Sequence, residues 1–406
     1  MKSKNKLLII KVGIILINLF ISFDLHSKAK NQLKISENNS KIEDLSFTND
    51  SLSQSKSIWQ KTVEYFRNAN HLNPNKKFDF GIIPGPHYSS TAGLGLGIIA
   101  TGTYSTDQND QQLTRSNLSL YGDITTKGFM LVGLRGNHIF PKEKYRVDYR
   151  THIYTFPTNY YGIGYEQGNN DHNKTDYRRL RFDAMVRFMV QIAPNIYCGT
   201  IATFKYVKAT EIEESKKYLF QNQDFNLHAQ TLGISFTYDS RDFILNASKG
   251  SFIQLDQTFT PRFLGNEYCF STTDLTASTY KRVWQGGTLA GEIHSCINYG
   301  NPPWCMMSEV GNNSRMRGYY EGRYRDKHII EGQIELRQHI KGRNGVTLLI
   351  GAAEVFHKMN EIRLYKLLPN AGLGYRWEFK NRINVRVDGG IGKNGLGFLF
   401  NINEAF

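Results

Sequence analysis

From about residue 76 to the end of the chain, the hydrophobic pattern repeats every second residue. Over residues 145–156, Tyr145, Val147, Tyr149, Thr151 and Ile153 share one face, and Arg146, Asp148, Arg150 and His152 share the other. Over 179–192, Leu180, Phe182, Ala184, Val186, Phe188, Val190 and Ile192 alternate with Arg179, Arg181, Asp183 and Arg187. Ile330, Ile334, Leu336 and Ile340 oppose Glu331, Gln333, Glu335, Arg337 and His339, and Ile383, Val385 and Val387 oppose Asn384, Arg386 and Asp388. A period of two is the signature of a strand with two unlike faces.

Many of these segments run to about 10 residues or more, the length with which a tilted strand crosses an outer membrane. A soluble sandwich also alternates, but it does not need so long an apolar face in nearly every strand. A closed cylinder, with lipid outside and a polar bore, accounts for both the length and the one-sided charge. Only closure satisfies every backbone polar group in lipid. Counting from Lys77 gives about sixteen strands, an even number as in single-chain bacterial barrels. Turn signals such as Asn109-Asp110, Gly168-Asn169-Asn170-Asp171 and Asn301-Pro302-Pro303 separate them. The expected fold is all-β: a 16-stranded antiparallel transmembrane β-barrel over 76–406, with a short N-terminal amphipathic helix and one long loop at 301–327.

Composition agrees. Aromatics reach 13%, with 36 glycines against 10 prolines, and mean hydropathy is −0.45. Beyond the N-terminal segment no apolar run approaches the roughly 20 residues of a spanning helix. The net charge of +14 is spread along the chain rather than gathered on a basic module. A lumenal basic surface is expected, and no nucleic-acid partner. Cys198, Cys269, Cys296 and Cys305 form no CxxC pair, so packing roles are expected, with a disulfide left open in an oxidising compartment.

Lys2, Lys4 and Lys6 precede an apolar stretch from Leu7 to Phe23, then small and polar residues near Ser27 and Ala29. This is the pattern of a secretory signal peptide over 1–27. Residues 28–75 are rich in Asn, Ser and Lys in their first half and read as a flexible tether. Within it Ile58, Trp59, Thr62, Val63 and Phe66 recur at helical spacing, which predicts a short helix near 57–69.

Two segments carry a family resemblance. Tyr238-Asp239-Ser240-Arg241-Asp242 is followed by Lys249-Gly250, and Met316-Arg317-Gly318-Tyr319 lies inside the long loop. With the terminal segment bearing Phe398, Phe400 and Phe406, they resemble the BamA/TamA-like bacterial surface-antigen superfamily of outer-membrane assembly barrels, over about residues 76–406. The text around Phe78–Tyr88 and 372–377 is similar to the Bacteroidetes-type branch.

The resemblance implies that the sixth external loop folds into the bore and is anchored by Arg317, Gly318 and Tyr319, with Glu335 on the twelfth barrel strand as the acidic partner. The thirteenth strand normally supplies a second carboxylate. Here that position is Gly351, and Glu354 has the opposite parity. Asp239, Arg241, Asp242 and Gly250 are expected to clamp the turn into the ninth strand. Phe398, Phe400 and Phe406 are expected to form a C-terminal assembly signal read by the barrel-assembly machinery. The periplasmic substrate-handling domains of the insertase members are expected to be absent, because about 48 residues separate the cleavage site from the first strand. Separate periplasmic proteins then stand as possible partners, beside outer-membrane lipid.

No GxSxG, HExxH, Walker or dinucleotide motif is present. No enzyme, cofactor or metal is expected, and His138, His152, His294 and His339 read as lumenal packing or solvated residues. The expected role is assistance to protein or lipid assembly or translocation at the outer membrane of a Gram-negative bacterium. The alternatives are a passive or gated solute channel and an outer-membrane lipid hydrolase. Gly81, Pro84, Gly85 and Pro86 in the first strand limit its hydrogen bonding at the seam with the last.

Overall fold

The structure is a computed structural model and describes residues 78–89, 93–107, 110, 113–380 and 382–406. The expected signal peptide, tether and helix near 57–69 lie outside the described residues. Sixteen strands form one antiparallel sheet in chain order. They are β1 (Phe78–Ser89), β2 (Gly93–Tyr104), β3 (Ser116–Thr125), β4 (Met130–Ile139), β5 (Tyr145–Tyr160), β6 (Thr175–Ala193), β7 (Ile196–Thr210), β8 (Asn226–Asp239), β9 (Gly250–Thr260), β10 (Phe270–Trp284) and β11 (Gly287–Gly300). After two short loop strands, β12 (Ser308–Glu309) and β13 (Arg325–Asp326), the wall resumes with β14 (His328–Lys341), β15 (Asn344–Phe356), β16 (Leu368–Lys380), β17 (Ile383–Gly392) and β18 (Gly395–Ile402).

The alternation sorts as the sequence pattern requires. Leu96, Ile98, Val132, Ile153, Val186, Ile234, Ile330 and Ile334 stand exposed on the outer face. Arg187, Asp256, Glu292, Glu335 and Arg386 are buried in the bore. In lipid the outer residues leave water, which is where their apolar area stabilises the barrel. Long connections gather at one rim, where Gly300 and His328 bound the longest; short turns such as Lys341–Asn344 close the other. At the long-loop rim the connections build an apolar cap in which Tyr160, Phe220 and Trp304 pack together, the Phe220 and Trp304 rings 4.9 Å apart and edge to face.

One expectation fails at the ends of the sheet. The alternation puts Val385 and Val387 on the lipid face, yet they are 1% and 3% exposed. For Val385 the reason is that β1 lies over it. Ile83 has the inward parity of β1, being paired with Ile99. It packs with Trp377, Val385 and Ile402 on the outward parity of the last strands. The Phe400 ring fills the notch at Gly85, where a Cβ would lie 2.3 Å from the ring. Asp79, also of inward parity, pairs with Lys380. No ladder joins β1 to β18 among the described residues. The two edges overlap, with the C-terminal strands as the inner layer, and the outward residues Phe78 and Ile82 of β1 face lipid.

Candidate functional site

The loop 301–327 folds into the bore. Met316 (φ 47°) and Gly318 (φ 109°) adopt left-handed backbone, which is strained at Met316 and relaxed at glycine. This sharp turn sends Arg317 towards the wall. Its side chain is fully buried and pairs with Glu335, and its Nη1 donates to Asp388 Oδ2 at 3.0 Å.

The backbone of the motif lies flat on glycines. A Cβ at Gly390 would stand 2.2 Å from the Arg317 carbonyl oxygen, and one at Gly397 3.0 Å from Gly318 Cα. The Tyr319 ring covers Gly392, where a Cβ would lie 2.5 Å from it, and its hydroxyl donates to the Pro369 carbonyl at 2.7 Å.

The anchor continues into a larger network. Glu335 accepts from Arg337 Nε at 2.7 Å. Asp388 accepts from Arg376 at 2.6 Å and from Arg386 at 2.6 Å. Glu404 accepts from Arg376 Nε at 2.8 Å and from Asn384 at 2.7 Å. Four guanidiniums, from Arg317, Arg337, Arg376 and Arg386, thus share three carboxylates, Glu335, Asp388 and Glu404. Charged hydrogen bonds of this kind are short and directional. They hold the loop against strands β14, β16 and β17 at once.

Sequence reasoning did not identify Asp388 as a partner of Arg317. Gly351 does face the bore, across from Gln333. A Cβ there would press on Asn370 Oδ1 at 2.6 Å, and Asn370 instead donates to the Arg317 carbonyl at 3.0 Å. Glu354 points away, accepting from the Arg363 backbone at 2.8 Å. The missing carboxylate of the thirteenth barrel strand is supplied from β17. Its signal was the polar parity of Asn384, Arg386 and Asp388, but parity places a residue on a face without naming its partner.

The turn motif forms a second clamp. Arg241 donates to both oxygens of Asp239, each at 2.8 Å, and its guanidinium lies 4.1 Å from the Phe252 ring centroid. Gly250 (φ 96°) sits where a Cβ would be 2.1 Å from the Ser240 carbonyl oxygen. Asp242 accepts from the Ser248 backbone at 2.8 Å, from the Ser248 hydroxyl at 2.7 Å and from Arg382 at 2.7 Å. That last bond reaches the turn between β16 and β17, so the β8–β9 turn folds across the short-turn mouth. Burial alone would raise the Asp242 pKa, but these bonds hold it down to about 2.

The C-terminal aromatics part company. Phe398 and Phe400 lie on the outward face of β18, paired with Gly389 and Val387. Phe406 does not extend that face, because β18 ends at Ile402 and Asn403 (φ 69°) turns the chain inward. The Phe406 ring packs 6.2 Å from Tyr280 inside the bore, under the Arg337 guanidinium at 5.0 Å.

The four histidines singled out in the sequence have partners: His138 with Tyr104 at 2.8 Å, His152 with Asp183 at 2.9 Å, His294 with Glu331 at 2.8 Å, and His339 with the Gly342 carbonyl at 2.8 Å. The four cysteines are unpaired. No cluster of metal-ligating side chains occurs among the described residues.

Comparisons with known proteins agree with this architecture. Among solved structures, CdiB from Escherichia coli is 10% identical, covering 82% of this chain and 63% of that one, with a TM-score of 0.53. CdiB from Acinetobacter baumannii is 11% identical over 81% and 60%, with a TM-score of 0.49. BamA from Haemophilus ducreyi lacking POTRA domains 1–3 is 14% identical over 80% and 71%, also at 0.49. The first of these likenesses is one of fold, and the chain spans less than two thirds of the length of either CdiB. No curated protein matches the sequence. The family profile described as the Omp85 superfamily domain matches residues 92–363. A sixteen-stranded barrel with a bore-anchored loop and a family match over more than half of its length, this chain belongs to the Omp85 superfamily of outer-membrane β-barrels.

Proposed function

We infer that this barrel assists the assembly or translocation of proteins or lipids at the outer membrane, and that the seam between β1 and β18 is the part that yields. The observation that carries this reading is the overlap of the two sheet edges. Every other neighbouring pair of wall strands is joined by a ladder. Contacts across the seam include a ring in a glycine notch, an ion pair and a small apolar cluster. Opening it breaks no strand ladder, whereas opening any other pair breaks a run of backbone hydrogen bonds. Outer-membrane lipid is the first partner of such a seam. The barrel-assembly machinery, acting on β18, and separate periplasmic proteins complete the proposed set, and the mature protein reaches the membrane after signal-peptide removal.

The filled bore argues against a passive solute channel. The loop carries Arg317 fully buried into the bore, and the Trp304 cluster packs at the long-loop rim.

The test is a reversible lock. In a background with the four native cysteines replaced by serine, Asp79→Cys and Lys380→Cys are bridged with a short bis-maleimide in living cells. Bridging is expected to compromise outer-membrane integrity, read as uptake of a normally excluded dye, while either single variant behaves as the parent. Full integrity with complete cross-linking would refute the role of the seam.

A further inference from the structure

Most bore arginines are paired. Arg187 donates to Asp148 at 3.1 Å and pairs with Asp256. Arg181 donates to Asp183 at 2.6 Å, and Arg241 holds Asp239. Arg135 and Arg150 are different. They sit directly opposite each other on β4 and β5, both exposed to the bore, and neither has a carboxylate partner among the described residues. Like charges directly opposite on paired strands repel. The bore-facing carboxylates of β5 and β6, Asp148 and Asp183, are held by Arg187 and Arg181, Asp183 also by His152 at 2.9 Å.

The pair is also placed. The Arg135 guanidinium lies 5.7 Å from the Tyr121 ring centroid, over its face, and Ser119, across from Arg135, is turned away to Thr101 at 2.7 Å. Both arginines line a cavity of ≈ 370 Å³ that is bounded by Ser314 of the long loop, by Arg241 of the short-turn rim and by the tail 401–406. That size lies at the lower end of the roughly 300–1,000 Å³ typical of small-molecule sites.

We propose that this cavity is a binding site for a small oxyanion, a phosphate or carboxylate group, held between the forks of Arg135 and Arg150. Each guanidinium offers a planar fork of donors that matches such a group bidentately. A bound oxyanion would relieve the cross-strand repulsion and neutralise the unpaired wall. Neither arginine belongs to the Arg317 network, although Arg386 and Glu404 of that network line another part of the same cavity, and the proposal does not depend on the seam reading.

The experiment uses the full chain refolded in detergent and inorganic phosphate as probe, followed by equilibrium dialysis at low ionic strength. Saturable binding is expected, at least tenfold weaker in R135Q/R150Q and unchanged in K249Q, a surface control. R150K, which keeps the charge but loses the fork, should bind more weakly than the parent and more tightly than R150Q, and R150Q alone serves if the double variant fails to show the heat-modifiable gel migration of a folded barrel. Absence of saturable binding, or equal affinity in the arginine-to-glutamine variants, overturns the proposal.

Discussion

Asp388 on β17 accepts from the guanidinium of Arg317 at 3.0 Å, four residues from the point where Gly392 supports the ring of Tyr319. The loop is therefore fastened to the same strand twice, once by charge and once by shape. Because β17 is next to the seam strand β18, the loop anchor and the seam edge share a support.

Neutralising Asp388 should loosen this support severely. Asp388→Asn leaves Arg317, Arg376 and Arg386 with one fewer buried anion, and breaking a buried pair costs about 3–5 kcal/mol. Urea unfolding in lipid vesicles measures it. A double cycle with Arg317→Ala should be strongly non-additive, since the two residues share one network; additive losses would mean that the pair does not couple.

The glycine seat can be tested without touching a charge. Gly390→Ala places a methyl where the Arg317 carbonyl now lies. The loop should lift from the wall, read as faster protease cleavage within 301–327 and lower thermal stability. Gly286→Ala, in a turn remote from this loop, should leave that cleavage rate unchanged. Parental cleavage rates in Gly390→Ala would show that the loop tolerates a displaced seat.

Acid should release the turn clamp. Asp242 titrates near 2 in the folded barrel, below the ordinary value of about 3.9. Its contribution is fully present above the unfolded pKa and is lost as pH falls from about 4 through 2. The melting temperature of Asp242→Asn should therefore lie below that of the parent at pH 6 and converge with it towards pH 2. Parallel curves over that range would contradict the assignment.

The aromatic cap predicts a difference between thiols. Cys305 is buried beside Trp304, and burial pushes its thiol up to about 12; Cys269 is exposed. Maleimide at pH 7 should label Cys269 quickly and leave Cys305 unmodified by mass spectrometry, because the thiolate is the nucleophile. Trp304→Ala should open the cap and expose Cys305. Equal labelling of both thiols in the parent would mean that the cap is not closed.

Much of the barrel was legible because its information is local. Side chains alternate across a strand whatever the strand pairs with, so Val186 and Arg187 were assigned to opposite faces correctly. Arg317 and Glu335 were legible through motif and parity together. Asp388 was not, since 71 residues separate it from Arg317, and only barrel curvature brings β17 against the loop. The inward position of Phe406 was not legible for a local reason, the left-handed turn at Asn403, which a non-glycine residue seldom makes.

By itself the sequence determined the period of two, the length of the strands and hence a wall with a lipid face and a polar face. Only the tertiary structure decided how the wall closes. Period and length constrain each strand against its own faces, but Val385 and Ile402 are covered because the two ends of the sheet slide past one another. That choice depends on the accumulated twist and stagger of all the intervening strands, a sum that no single segment encodes.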